Sequence, residues 1–181
     1  MKILIVSDLH GNLDACQLVW QLYQQENPDK VVLCGDVFEG WYGDNSSQMN
    51  AIFSLMSGKI YSVKGNNDSD EDCRFAPFTF VGNLVWQHFD RQLFLTHGHR
   101  YNKMILPPVL NKNDVLVYGH THVGSLSRVK GLYVLNVGSL WLPRGKAPKS
   151  YGIIDDKGIY LKSVDGTLLE SYLFEDWDHL D

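Results

Sequence analysis

Cysteine is scarce in this chain of 181 residues: Cys16, Cys34 and Cys73 are odd in number and show no CxxC spacing. Their scarcity argues against a disulfide framework or a thiolate metal cage, and for reduced thiols in a cytoplasmic setting where all three are core or bystander residues. Proline is also sparse, at six residues, and no Pro- or Ser-rich stretch interrupts the sequence, so residues 1–181 read as a single domain. No apolar run approaches the roughly 20 residues that span a bilayer, and no membrane contact is expected. The apolar start over residues 1–6 is cut off by Ser7-Asp8, too early for a signal peptide, and reads as a mature N-terminus opening into a strand. A basic excess is lacking as well: 16 Lys and Arg against 21 Asp and Glu leave a formal net charge of −5, which disfavours a nucleic-acid partner but tolerates a locally positive pocket. What is present is a globular composition, 44% hydrophobic and 20% charged, on a chain long enough to bury a core without staples.

Hydrophobic periodicity organises the rest. Residues 2–6 read as a buried strand. Residues 13–25 read as a helix with Ala15, Leu18, Val19 and Leu22 on one face, Asn12 as its N-cap and Pro28 as its stop. A strand at 31–34, a helix around 48–56 and a strand at 60–64 complete a βαβαβ order, which predicts a parallel sheet with right-handed crossovers. Beyond Phe75, short strands are expected near 79–81, 84–87, 93–96, 115–118, 126–129, 133–137, 151–155 and 159–163. Turns such as Lys130-Gly131, Asp156-Lys157-Gly158 and Asp165-Gly166 favour hairpins among them. The expected α/β architecture is two sheets packed face to face with helices outside.

Short polar clusters sit just after these apolar runs: Asp8-Leu9-His10, Gly35-Asp36, Gly65-Asn66-Asn67-Asp68, His97-Gly98-His99 and Gly119-His120-Thr121-His122. Taken singly, several of them are ordinary turn chemistry. Two imidazoles alternating past a buried strand at His120 and His122, with His97 repeating the arrangement, are harder to read that way. Residues at the ends of strands converge on one edge of a sheet, and carboxylate, imidazole and amide oxygen together are donors for a divalent cation.

In order and spacing, these clusters resemble the signature of the calcineurin-like metallophosphoesterases, in their small YfcE-like phosphodiesterase branch, from about Lys2 to Gly138. The resemblance implies a four-layer αββα sandwich of two mixed sheets and a dinuclear metal site. By the family pattern one ion takes Asp8, His10 and His122, the other takes Asn66, His97 and His120, and Asp36 bridges both. Manganese is the expected ion, with iron, zinc, cobalt and nickel compatible with the same ligands. Two divalent ions against two carboxylates and a bridging hydroxide leave about one net positive charge to draw in an anionic phosphate ester. The implied reaction is hydrolysis of a small-molecule phosphodiester by in-line attack of that hydroxide. A homo-oligomer, dimer or tetramer, is implied by the small bacterial relatives.

One departure bears on the substrate. Many family members carry a His after the Asn ligand, where it protonates the leaving oxygen; this chain has Asn67 there, while Asp68, the partner of such a His, remains. Loss of a general acid costs ~10²- to 10⁴-fold, most for poor leaving groups, so a diesterase favouring good leaving groups is expected. Asn67 is read as a donor to a phosphoryl oxygen and His99 as the replacement acid. Two competing readings stand beside this one: a non-catalytic metal-binding scaffold like the retromer subunit, which has the same fold and also lacks that His, and a phosphomonoesterase. Arg144, Lys146 and Lys149 read as a solvated basic loop that could reach a second substrate phosphate. Trp41 and Tyr42 read as loop packing or a pocket wall. The acidic tail at 174–179, with its lone His179, carries no assigned chemistry.

Overall fold

The computed structural model describes residues 1–39 and 45–174, so Trp41, Tyr42 and His179 lie outside the described residues. The first part of the chain runs β1 (Ile3–Val6), α1 (Leu13–Glu26), β2 (Lys30–Leu33), α2 (Ser46–Ser54), β3 (Ile60–Val63), α3 (Asp70–Phe75) and β4 (Phe80–Val81). The second part runs β5 (Leu84–His88), β6 (Arg91–Leu95), β7 (Val115–Tyr118), β8 (Ser125–Val129), β9 (Leu132–Asn136), β10 (Ser150–Ile154), β11 (Gly158–Ser163) and β12 (Leu168–Leu173).

These strands form a seven-stranded sheet in the order β12-β11-β10-β1-β2-β3-β4 and a five-stranded sheet in the order β5-β6-β7-β9-β8. The expected parallel register of β1, β2 and β3 is present, pairing Ile3 with Lys30 and Val31 with Ile60. β1 has no polar alternation because both of its faces are covered. Ile3 and Ile5 enter the core between the sheets beside Val32, Leu93, Val117 and Leu135, whereas Leu4 and Val6 point outward to Val19, Leu22 and Phe53 under α1 and α2. Asn12 caps α1 as expected, its side chain accepting from Ala15 N–H at 2.9 Å, and Asn27 ends the helix at φ 44°.

The two outer faces differ. The seven-stranded sheet carries α1 and α2, while Phe94, Leu116, Tyr118 and Val134 on the outer face of the five-stranded sheet lie under Tyr101, Leu106 and Leu110 of the irregular segment 98–114. Pro107-Pro108 and the Asn-rich stretch after it keep that segment out of a helix. Hairpins form where turns announce them, as at β8–β9 and β10–β11, but β6–β7 and β7–β9 pair in parallel. That parallel pairing places the segments after β6 and β7 together at one edge of the five-stranded sheet, as the parallel pairing of β1, β2 and β3 does for theirs in the seven-stranded sheet. Two elements go beyond the expected set. α3 is a short helix closed by a Ser69–Asp72 capping box, and β12 is an edge strand with all six residues exposed, hence without an apolar alternation to reveal it.

Candidate metal centre

Each cluster follows a strand: Asp8 and His10 follow β1, Asp36 follows β2, Asn66 to Asp68 follow β3, His97 and His99 follow β6, and His120 and His122 follow β7. To turn their side chains onto one point, the backbone enters the left-handed region at Asp8 (φ 57°), His10 (50°), Asp36 (49°), His120 (63°) and His122 (62°). For a residue with a Cβ this costs of order 1 kcal/mol each, a strain kept where a site requires it. Glycine is required beside them. At Gly35, with φ +87°, an added methyl would lie 2.6 Å from His97 Nδ1, and at Gly65 it would overlap the Asp36 carboxylate.

The side chains gather as two trios, Asp8–His10–His122 and Asp36–His97–His120, and in each the ligand atoms lie within 4.8 Å of one another. The trios meet at Asp36, whose Oδ2 is 3.2 Å from His97 Nε2 and 3.9 Å from His10 Nε2. Asn66 Oδ1 joins the second trio at 3.1 Å from His97 Nε2. Backbone carbonyls orient two of the imidazoles, with His97 Nδ1 on Cys34 O at 2.8 Å and His122 Nδ1 on Leu142 O at 2.6 Å. A carbonyl can only accept, so both rings carry their proton on Nδ1 and, when neutral, aim the Nε2 lone pair into the cluster.

These residues fit a pair of divalent ions. Asp8 Oδ1 is buried with no hydrogen-bond partner, although it lies 3.2 Å from His122 Nε2, and His97 Nε2 faces oxygens of both Asp36 and Asn66. Acceptors facing acceptors in a buried site call for positive charge between them. Without ions, protons supply part of it. Burial pushes the His97 imidazolium down, but its hydrogen bond to Asp36 and the nearby carboxylates outweigh this and raise its pKa. The Asp8 carboxylate facing it likewise raises His122, and the pairing of Asp36 with His97 overcomes burial to hold the Asp36 carboxyl at about 2. Burial and the charge of His97 lower His120.

Further residues hold this constellation. Asp68 is buried and accepts four backbone N–H groups, from Val37 and Phe38 at 2.9 Å on Oδ1 and from Asp36 at 2.9 Å and Gly65 at 2.8 Å on Oδ2. It ties the turn after β2 to the turn after β3. Burial pushes its carboxyl up to about 6, against the pull of those donors. Ser139 Oγ donates to Asp8 O at 2.9 Å, and Asn136 Nδ2 donates to Gly119 O at 3.0 Å and Thr121 Oγ1 at 2.7 Å, bracing the turn that carries His120 and His122. Asn136 had no signal in the sequence, and Ser139 had only its place after Gly138.

Asn67 is engaged with Asp36: its backbone N–H reaches Oδ1 at 2.9 Å and its amide donates to Oδ2 at 2.8 Å. The amide nitrogen keeps a second N–H, which a phosphoryl oxygen can accept without breaking the bond to Asp36. His99 is exposed beside the ligands, its ring centroid 5.5 Å from His97 and 6.3 Å from His120, and burial with the charges of His97 and Arg100 lowers its pKa. Cys16 and Cys34 are buried thiols apart from one another, and no helix among the described residues is long and apolar enough to cross a membrane.

The model of the calcineurin-like phosphoesterase superfamily domain matches residues 1–158. Phosphodiesterase YfcE of Escherichia coli (strain K12) is 34% identical over 171 residues, covering 86% of this chain and 88% of the relative. The solved structure of that E. coli phosphoesterase superposes with a TM-score of 0.87 at 30% identity, over 97% of this chain and 100% of the other. Zinc-bound Vps29 from Entamoeba histolytica shares the fold, with a TM-score of 0.60 at 21% identity over 97% of this chain and 100% of the other. With a family match across residues 1–158 and a relative 34% identical along most of its length, the chain belongs to the calcineurin-like phosphoesterase superfamily.

Proposed function

We propose that this protein is a metal-dependent phosphodiesterase acting on small-molecule diesters with good leaving groups. The observation that carries the reading is the pair of trios meeting at Asp36, with the unpartnered buried oxygen of Asp8 aimed among imidazoles. In it, Asp8, His10 and His122 hold one divalent ion, Asn66, His97 and His120 hold a second, and Asp36 is shared. Such a pair supplies Lewis acidity and acidifies a water to near neutral pKa when bound. The chain's own contribution is positioning. Asp68 sets the two turns, Cys34 O and Leu142 O fix the imidazole tautomers, and Asn67 holds the shared carboxylate. His99 is assigned as proton donor to the leaving oxygen on its position at the open side of His97 and His120, and Asn67 as a second donor to the phosphoryl group. The 34% identity to a relative named as a phosphodiesterase supports the enzyme over the scaffold reading, since the Vps29 likeness carries the fold alone.

Manganese is the ion of this reading, a homo-oligomer its assembly and the cytoplasm its place. Incubating the purified protein with manganese and bis(p-nitrophenyl) phosphate should release p-nitrophenolate faster than from the monoester, and chelation should abolish release. Bound metal without turnover would support a scaffold, and faster release from the monoester would support a phosphomonoesterase. For His99→Ala the rate should depend more steeply on leaving-group pKa, with a loss of ~10²-fold on alkyl esters. An unchanged dependence removes His99 from that role.

A further inference from the structure

The segment that follows β9 is built onto the metal centre, and its charges are uncommitted. Ser139 Oγ donates to Asp8 O and accepts the N–H groups of Trp141 at 3.1 Å and Leu142 at 2.9 Å. From Leu142 to Arg144 the chain brackets His122: Leu142 O takes the imidazole Nδ1–H at 2.6 Å, and Arg144 N–H donates to His122 O at 3.0 Å. Arg144 is thereby fixed beside the Asp8–His10–His122 trio, close enough that its charge bears on the His122 imidazole. Its side chain is exposed, and among the described residues neither Arg144 nor Lys146 is ion-paired with a carboxylate. Residues 141–149 contain no acidic residue, and Lys149 is turned over the Trp141 ring at 5.1 Å.

A basic residue stapled by its backbone to a ligand, with no carboxylate of its own, is placed to meet an anion on the substrate. The two-ion centre retains only about one spare positive charge, enough for the anionic diester itself. Any second phosphate on the substrate must find its cation outside the ligand set, and a guanidinium can meet it with two parallel N–H bonds. From this placement we infer that Arg144, at the head of a basic loop, forms a subsite for a second phosphate, so that the preferred substrates are phosphodiesters carrying an additional terminal phosphate. The inference rests on the diesterase reading and deepens it.

Two esters with the same leaving group separate the two ideas: p-nitrophenyl ethyl phosphate, and the same diester with a phosphate on the far end of the ethyl group. The readout is the ratio of their kcat/KM values on the manganese-loaded protein. Because chemistry at the scissile phosphorus is shared, the ratio reports the second phosphate. In the wild type it should favour the phosphorylated ester by about 10-fold, the scale of one charge-assisted contact. Arg144→Ala should bring the ratio near one, Arg144→Lys should retain part of it, and Arg144→Glu should invert it. A wild-type ratio near one, or a ratio untouched by Arg144→Ala, overturns the subsite alone. No release from either ester overturns the diesterase reading and the subsite with it.

Discussion

Two groups of buried carboxylates around the seven-stranded sheet, Glu26 and the pair Asp8 and Asp36, are treated in opposite ways. Glu26, at the end of α1, has both oxygens saturated: Oε1 accepts from Tyr151 Oη at 2.7 Å and Lys162 Nζ at 2.9 Å, and Oε2 accepts from Lys2 Nζ at 2.8 Å. At the metal centre, Asp8 Oδ1 has no donor at all and Asp36 Oδ2 lies across from imidazoles of both trios. The first arrangement is complete in itself. The second leaves a buried oxygen without a donor, and five of its residues hold left-handed backbone. Satisfied and unsatisfied carboxylates are thus separated in space: the one at the end of α1 has all its donors, while at the candidate metal centre an oxygen of Asp8 has none.

That contrast can be broken by substitutions of the same kind at the two places. Asp36→Asn should reduce kcat/KM on an aryl diester by more than about 10²-fold, beyond the range typical of residues that merely support a ligand. It should also abolish the thermal stabilisation by manganese, which in the wild type should reach about 2.7 kcal/mol at 100 times the dissociation constant. Retained activity with retained metal stabilisation would show that Asp36 is not shared between the ions. Glu26→Gln should do the reverse, costing about 3 kcal/mol in urea unfolding because Lys2 and Lys162 lose their buried partner, with little change in turnover. A Glu26 variant as stable as the wild type would remove the contrast.

The smallest effect sharpens the contrast through pH. Burial pushes the Glu26 carboxyl up, but hydrogen bonds from Lys2, Lys162 and Tyr151 outweigh it and hold the pKa at about 2, below the ordinary 4.5. A folded-state pKa below the unfolded one stabilises the fold above about pH 4.5 and is lost as pH falls toward 2. Between pH 6 and 3.5 this should cost the wild type about 1 kcal/mol more than Glu26→Gln. Parallel pH curves for the two proteins would mean that the Glu26 network does not persist in solution.

Legibility in the sequence followed the same division. The strands and helices with strong periodicity were readable, because Ile3 to Val6 or Ala15, Val19 and Leu22 satisfy a local pattern whatever surrounds them. β12 was not, since an exposed edge strand held by its pairing to β11 has no inward face to mark it. The cover of the five-stranded sheet was likewise unreadable. Tyr101, Leu106 and Leu110 sit on that face without a period because backbone irregularity, rather than helical spacing, points them inward. At the site, Asp8, His10, Asp36, His97, His120 and His122 were found from their place after strands, and the structure brings all six into the two trios.

The residue types of the centre and their attachment to strand ends are properties of the sequence, since each follows a run that can only be buried and each is a donor suited to a divalent cation. Tertiary structure decided which atoms face which. Parallel pairing of β6 and β7 set His97, His120 and His122 at one edge of their sheet, and the packing of the two sheets brought them against the aspartates that follow β1 and β2. Pairing of β2 with β3 put Asn67 on both oxygens of Asp36 and gathered four N–H groups onto Asp68, and the return of the chain after β9 fastened Arg144 to His122. Most of these contacts join residues 22 to 32 positions apart and depend on strand register and backbone angle, which no local spacing encodes.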